Sequence, residues 1–443
     1  MKKSNIVFSF FSLLLMAGFL LMMSCTKEGP MGPQGPAGKD GTNGKDGKDG
    51  KDAAITCGEC HNPTGVSDIA QQFTLSKHHY GEAAFEEAGN TTCSPCHVSE
   101  AFKYMVKNNI PAIYELNTTT NKYVNKYVST ASTSYGEITC NTCHSSIHST
   151  YGTADYAFTT TAPVPMIMWG GSKTIDLKAD GGKSNLCVKC HQPRPFVTST
   201  TLSDGNVADY ANLVAKPTEL YYDSSKGNAA PNKHLPSYRF HVHYGVVGAV
   251  VAGIGGVEFT GTLAYTNSFH TANASCQDCH MGTMNGRAGG HTFTAKGNFN
   301  GCNTTDCHGT GTVTSTNATY WTTPRADIVA LLNQLATKIN AIGGGQNILH
   351  SDASTESNLW AGTTTGNFDG YLDIYDASAN PSGYWRNPGN TSGANMAKPK
   401  FPSLTNAQAG AIINFQFALR EFSRGIHNYK YIKALLTNSI AML

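Results

Sequence analysis

Twelve cysteines of this chain fall into six pairs, and every pair is followed at once by a histidine. Five are Cys-x-x-Cys-His: Cys57, Cys60 and His61; Cys93, Cys96 and His97; Cys140, Cys143 and His144; Cys187, Cys190 and His191; Cys276, Cys279 and His280. The sixth, Cys302-Asn-Thr-Thr-Asp-Cys307-His308, has two extra residues between its cysteines. Disulfides and zinc sites impose no such histidine. With histidine at 16 of 443 positions, six chance occurrences have a probability on the order of 10^-9. Covalent haem attachment does impose it: two thiols add across the two vinyl groups as thioethers, and the adjacent histidine comes to lie under the iron as proximal ligand. Six covalent haem c groups, with their irons, are therefore the expected cofactors. Thioether sulfurs are no longer nucleophiles, which excludes a thiol-redox enzyme.

The thirteenth cysteine, Cys25, ends a different signal. After Met1-Lys2-Lys3 the chain is apolar from Ile6 to Met23, broken only by Ser9, Ser12 and Gly18. About 18 such residues lie at the lower edge of what spans a bilayer. Ser24-Cys25 followed by polar Thr26-Lys27-Glu28 resembles the cleavage and acylation site of bacterial lipoproteins. That resemblance implies lipidation of Cys25 and, with Thr26 in the next position, an outer-membrane destination. From Gly29 to Gly50 glycine recurs at every third position, a collagen-like repeat. The first triplets suit polyproline II; the Gly-Lys-Asp triplets have no proline to preorganise them, so the segment reads as a charged spacer or a trimerising stalk. Loss of Lys2 and Lys3 with the leader takes the formal charge from +2 to about zero. Haem propionates then make the holoprotein neutral to acidic, which argues against nucleic acid as a partner.

Ten histidines lie outside the motifs, and they decide whether each iron is closed by a second imidazole or left open for catalysis. His148 follows His144 by four residues, and His270 shortly precedes Cys276. Tethers so short cannot carry an imidazole round the rim of their own porphyrin, so each is expected to serve a neighbouring haem. His78, in Ser76-Lys77-His78, repeats the Ser-x-His pattern of Ser268-Phe269-His270, and His79 competes with it. His241 and His243 would share a face of a strand about 6 to 7 Å apart, so one of them is expected to bind.

Four segments carry a wider resemblance: His243-Tyr-Gly with its glycine-rich continuation to Gly261, Ser268-Phe-His270 running into Cys276-Gln-Asp-Cys279-His280-Met281, Gly289-Gly-His291-Thr-Phe293, and Ser423-Arg-Gly-Ile-His427-Asn-Tyr-Lys-Tyr431. Together they resemble the large multihaem cytochrome c family of bacterial periplasms and cell surfaces. The resemblance spans about residues 187 to 440; the first three motifs match only as Cys-x-x-Cys-His. It implies distal haem ligation by His243, His270, His291 and His427. With His78 and His148 that makes six candidates for six irons. His234 and His350 are read as structural, and Met166, Met168, Met281 and Met284 as packing residues.

The fold class expected is a mostly irregular, haem-packed multihaem cytochrome c core with short helices and few strands, plus a helical C-terminal region. The expected organisation is a leader over 1–24, a lipidated start over 25–28, the Gly-X-Y spacer over 29–52, the hexahaem core over 53–323 and the helical region over 324–443, packed on the core. Short strands are expected at Val246 to Val251 and Val257 to Phe259. Ile328, Leu331, Leu332, Leu335 and Ile339 form a helical stripe within Ala326 to Ile342. A second helix runs from a cap near Thr405 to about Phe422 and a third from Tyr431 to Ile440, with Gly425 breaking the two and 351 to 400 as irregular loop.

Electron transfer through closely spaced six-coordinate haems is the leading functional expectation, which makes the chain a carrier rather than an enzyme, exchanging electrons with other redox proteins or an extracellular acceptor. It would sit in the outer membrane, facing the periplasm or the cell surface and held by its N-terminal lipid. One alternative is a reductase of a small oxyanion such as nitrite, which needs one open iron. The best-known nitrite-reducing relatives of the family mark theirs with Cys-x-x-Cys-Lys, and none occurs here. The other alternative is a subunit of a cytochrome filament, or a homotrimer.

Overall fold

The computed structural model describes residues 61–62, 64–79, 93–110, 114–117, 122–125, 136–149, 153–195, 210–226, 236, 238, 240–352, 367–376 and 399–443. The leader, Cys25, the Gly-X-Y repeat, Cys57, Cys60 and His234 lie outside them.

Helices in the motif-bearing stretch are short. They include α1 (Val66–Thr74), α2 (Ser94–His97), α3 (Ser99–Lys107), α4 (Cys140–Cys143), α5 (Ser184–Val188) and α6 (Tyr210–Ala215). Pro95 sits in the first turn of α2, where its missing N–H costs nothing. Thr139 and Thr142 exchange side-chain and backbone bonds as a capping box at the start of α4. α3 buries Ala101, Phe102 and Met105 against Val98, Ile167 and Leu186, a small core of its own. Two antiparallel ribbons accompany these helices, β1 (Tyr114–Asn117) with β2 (Lys122–Asn125) and β3 (Val164–Pro165) with β4 (Thr174–Ile175). Met166 and Met168 between the latter strands are fully buried in the main hydrophobic core.

The strand expected at Val246 to Val251 is instead a helix, α7 (Val247–Ala252). Glycines bound it: Gly245 and Gly253 both take positive φ, and Gly253 forms the left-handed cap. The β-branched valines would favour extension, but Gly248 lies flat on the fourth motif, where a Cβ would meet the His191 carbonyl at 2.7 Å. Close packing outweighs propensity here. Val257 to Phe259 forms no strand either, because side chains take the place of a partner strand. Asn414 bonds both the N–H (2.8 Å) and the carbonyl (2.7 Å) of Val257, and Tyr431 accepts the Gly256 N–H at 2.9 Å. Downstream lie α8 (Phe269–Asn273) and α9 (Cys276–His280).

Long helices begin with α10 (Thr323–Ala341), which buries Ile328, Leu332, Leu335, Ala336 and Ile339 and leaves Leu331 half-buried. α11 (Asn406–Leu419) starts at a capping box, with Thr405 Oγ1 accepting the Gln408 N–H at 3.2 Å and Gln408 Oε1 accepting the Thr405 N–H at 2.8 Å. Of its residues only Gln408 is not buried, as expected of a helix apolar on nearly all sides. α12 (Tyr429–Met442) packs on both, and its cap Asn428 donates from Nδ2 to the Val250 carbonyl at 3.0 Å, tying the helix start to α7. Between α11 and α12 the chain turns at Gly425, φ +88°, where a Cβ would strike Ile328.

Within the expected loop 351 to 400 the described residues contain regular structure. β6 (Leu349–Asp352) pairs antiparallel with β7 (Asn367–Leu372) around a bulge, and β5 (Leu220–Asp223) pairs with β8 (Ser403–Thr405). At Gly370, φ +76°, the buried Arg420 guanidinium presses on the backbone and donates to the Gly370 carbonyl at 2.9 Å. Its face lies 4.0 Å from the centre of the Tyr244 ring. That long-range clamp holds a turn that local sequence does not announce.

Candidate cofactor-binding site

Among the described residues the second, third and fifth motifs are each a single helical turn and the fourth closes the end of α5, which brings the second cysteine and the histidine round to one end. The histidine N–H returns to the carbonyl of the first cysteine: His97 to Cys93 at 3.3 Å, His144 to Cys140 at 2.9 Å and His191 to Cys187 at 3.0 Å. α9 adds a capping box, Ser275 accepting the Asp278 N–H and Asp278 accepting the Ser275 N–H. The widened sixth motif is not helical, yet the His308 N–H closes on the Cys302 carbonyl at 3.2 Å, and the Cys307 N–H on Thr304 at 3.2 Å. Its two extra residues are absorbed in the loop while the relation of first cysteine to histidine is kept.

The motif histidines are found facing particular partners. Ring centroids lie 5.8 Å apart for His61 and His148, 6.3 Å for His97 and His243, 6.0 Å for His191 and His78, 6.3 Å for His280 and His427, and 6.1 Å for His308 and His270. In the remaining combination His144 lies close enough to His291 for its charge to depress the His291 pKa, after the larger effect of burial. Metal–imidazole bonds of about 2 Å, plus roughly 1 Å from each nitrogen to its ring centre, separate two trans imidazoles by about 6 Å. The observed spacing of the five measured pairs fits one metal between each of them.

Orientation and protonation agree with that fit. Nδ1 of His144 bonds the Tyr156 carbonyl (2.9 Å), His280 that of Phe293 (2.9 Å), His243 that of Tyr244 (3.1 Å) and His270 that of Ile426 (3.1 Å). A ring donating Nδ1–H to a carbonyl presents the Nε2 lone pair, the form that binds metal. Burial lowers the pKa of His78, His280 and His308. It takes His191 to about 4, with help from the charges of His78 and His280, and His243 to about 3, with help from Arg194. These imidazoles are held neutral.

His427 differs. Its Nδ1 lies 2.7 Å from Glu421 Oε2, and the Glu421 side chain is fully buried. Burial would lower the His427 pKa, but the bond to the carboxylate raises it above the ordinary histidine value. Burial would likewise raise Glu421; hydrogen bonds from His427, Ser423 and the Gly425 N–H hold it below the usual carboxylate range.

Of the close histidine pairs, His78 faces the fourth motif, while His79 packs edge-on against Phe73 with centroids 5.5 Å apart. His241 and His243 are not on a strand: His243 takes φ +72°, and its N–H donates to His241 Nδ1 at 2.9 Å. His241 thus steadies the turn that presents His243. His148 and His270 face the first and sixth motifs, not the motifs beside them in sequence. His350 lies on β6.

Thiols of different motifs touch. Cys96 is in hydrogen-bonding contact with Cys190, Cys187 with Cys276, and Cys279 with Cys302. None of the described cysteines forms a disulfide, and Cys143 is pushed up to about 11 by burial and then by Cys140. Several contributors escaped the sequence reading. Glu421 stands six residues before His427, the one acid in a nearly apolar stretch, which was a usable signal. Gln72 accepts the His291 N–H at 2.9 Å, and Arg194 reaches Cys93 Sγ at 3.9 Å; neither is marked by any local pattern.

Among the described residues no three His, Cys, Asp or Glu side chains converge as a metal cluster, and no helix is long and apolar enough to cross a membrane. No protein family, curated protein or solved structure matches this chain.

Proposed function

We propose that the protein carries six covalently attached haems c, each closed by two imidazoles, and relays electrons as a lipid-anchored carrier at the outer membrane or cell surface. The observation that carries this reading is the matching of every motif histidine to a different non-motif histidine of the same chain, five of the matches with ring centroids 5.8 to 6.3 Å apart. A haem held by a motif histidine and its counterpart would supply a one-electron iron couple.

The chain's own residues do the rest. The paired cysteines would tether the group, and the following histidine and its counterpart would hold it, so that little rearrangement would accompany a change of charge. Contacts among Cys96 and Cys190, Cys187 and Cys276, and Cys279 and Cys302 set the second, fourth, fifth and sixth attachment sites side by side in series, with the fourth in contact with two others. Electron tunnelling falls steeply with separation, and such contacts favour a relay. His191 and His243 are half-buried, and that burial disfavours their protonation. Because each counterpart comes from this chain, no imidazole from a second copy is required, which weighs against the filament. A reductase of nitrite or a similar oxyanion would need one of these pairs to open.

Mass spectrometry of the mature protein tests the reading: six haem additions and an acylated Cys25 are expected, with no high-spin iron in the low-temperature EPR spectrum of the ferric form. Five additions would remove Cys302 to His308 from the scheme. A clear high-spin fraction would favour the enzyme. Membrane fractionation unaffected by Cys25→Ala would refute the lipid anchor.

A further inference from the structure

The partners of the imidazole Nδ1 atoms are not equivalent. His144, His280, His243 and His270 each meet a neutral backbone carbonyl, at 2.9 to 3.1 Å. His427 meets a carboxylate, Glu421 Oε2, at 2.7 Å, and a carboxylate can only accept, so Nδ1–H donates. Glu421 is built into its place. Its side chain has no exposed surface, Ser423 Oγ donates to Oε2 at 2.5 Å, and the Gly425 N–H donates to Oε1 at 2.7 Å. Ser423 Oγ in turn accepts the His427 N–H at 3.0 Å, while Arg325 Nε holds the Ser423 carbonyl at 3.3 Å. The whole turn from 421 to 427 is wrapped around one acidic side chain.

A metal-bound imidazole that donates to a carboxylate gains imidazolate character, becomes a stronger donor and stabilises the more oxidised metal. We infer that Glu421 is a positioning and tuning residue: by drawing on Nδ1–H of His427 it lowers the potential of the iron held by His280 and His427 below what a neutral acceptor in its place would give. This rests on the reading of His427 as an axial ligand. Cys276 and Cys279 of the same motif touch Cys187 and Cys302, so the tuned centre is an interior member of the series and not its end.

The test uses the full mature holoprotein, titrated potentiometrically with optical and EPR detection. The signal of this centre is identified as the one that His427→Ala converts to high-spin iron. If His427→Ala leaves every iron low-spin, the assignment of His427 as a ligand fails, independently of Glu421. In Glu421→Gln, which keeps shape and a neutral acceptor, that one centre should stay low-spin while its midpoint potential rises, its EPR g values shift and the remaining five are unchanged. Glu421→Asp should restore most of the shift. A low-spin Glu421→Gln protein with unaltered potentials would overturn the inference and leave Glu421 a structural residue. If Glu421→Gln instead loses His427, Glu421→Asp decides: a potential at or near the native value sustains tuning by charge, and one displaced upward refutes it.

Discussion

Between the first described motif histidine and α10, no named helix exceeds nine residues, whereas the last three helices run to 19, 14 and 14. Isolated helices shorter than about 12 residues are marginal in water, so the short ones must draw stability from elsewhere. In the C-terminal helices the source is visible: Ile412, Phe415, Phe417, Tyr431, Leu435 and their neighbours are at or near zero exposure within one protein core. In the motif stretch, facing imidazoles and cysteine contacts lie alongside a smaller apolar core around α3 and parts of the main core such as Met166, Val188 and Val250. Were the proposed haems bound there, they would supply packing that long periodic segments otherwise provide. The difference teaches that the two regions should fail under different treatments.

The largest effect is expected from withholding haem attachment. In haem-free protein, segments carrying the motifs, such as 93–110 and 136–149, should exchange amide hydrogens and be cleaved far faster than α11 and α12. Equal protection of the two regions would break the comparison. An intermediate effect is expected from Leu435→Ala, which removes a fully buried side chain packed against Gly256. It should cost about 2–5 kcal/mol in thermal or denaturant unfolding with the haem spectrum intact. A spectrum that changed along with stability would mean that the helices and the sites cannot be separated. The smallest effect is expected at the surface, where Asp327 receives Lys433 Nζ at 2.8 Å and the Tyr429 hydroxyl. Lys433 first, then Tyr429, holds the Asp327 carboxyl below its usual range. Its contribution is thus present above the ordinary carboxylate pKa and is lost as pH falls through the lowered folded value. Both partners are over a third exposed, and Asp327→Asn should cost less than about 1 kcal/mol at pH 7, vanishing in acid. A larger loss would show that α10 and α12 are held by charge and not by their apolar seam.

Particular residues show where sequence reading carries through and where it stops. The spacing of each cysteine pair and its histidine is a local covalent requirement, complete within five to seven residues, so it can be read without a fold. Thr405 and Gln408 announce a helix start because a capping box is equally local, and the stripe from Ile328 to Ile339 announces α10 because helical periodicity repeats within the segment. Gly425 marks the turn before α12 for the same reason. Val247–Ala252 misleads, since valines favour extension until Gly248 has to lie against the His191 carbonyl. β6 and β7 were hidden because their pairing joins residues whose local composition is that of a loop.

Which histidine faces which motif belongs wholly to the tertiary structure. His148 lies beside Cys143 in sequence and faces His61, and His427 comes long after Cys279 and faces His280. No property of an isolated histidine distinguishes these destinations, because the pairing depends on how distant segments pack. Sequence alone marked the proposed points of covalent attachment and the helices whose apolar faces had to be buried. Only the folded chain decided the partners and the burial that lowers the pKa of His191 and His243, since both arise from side chains brought together across large separations in sequence; the placing of Glu421 at His427 is made within one turn of six residues, which the buried surroundings then close.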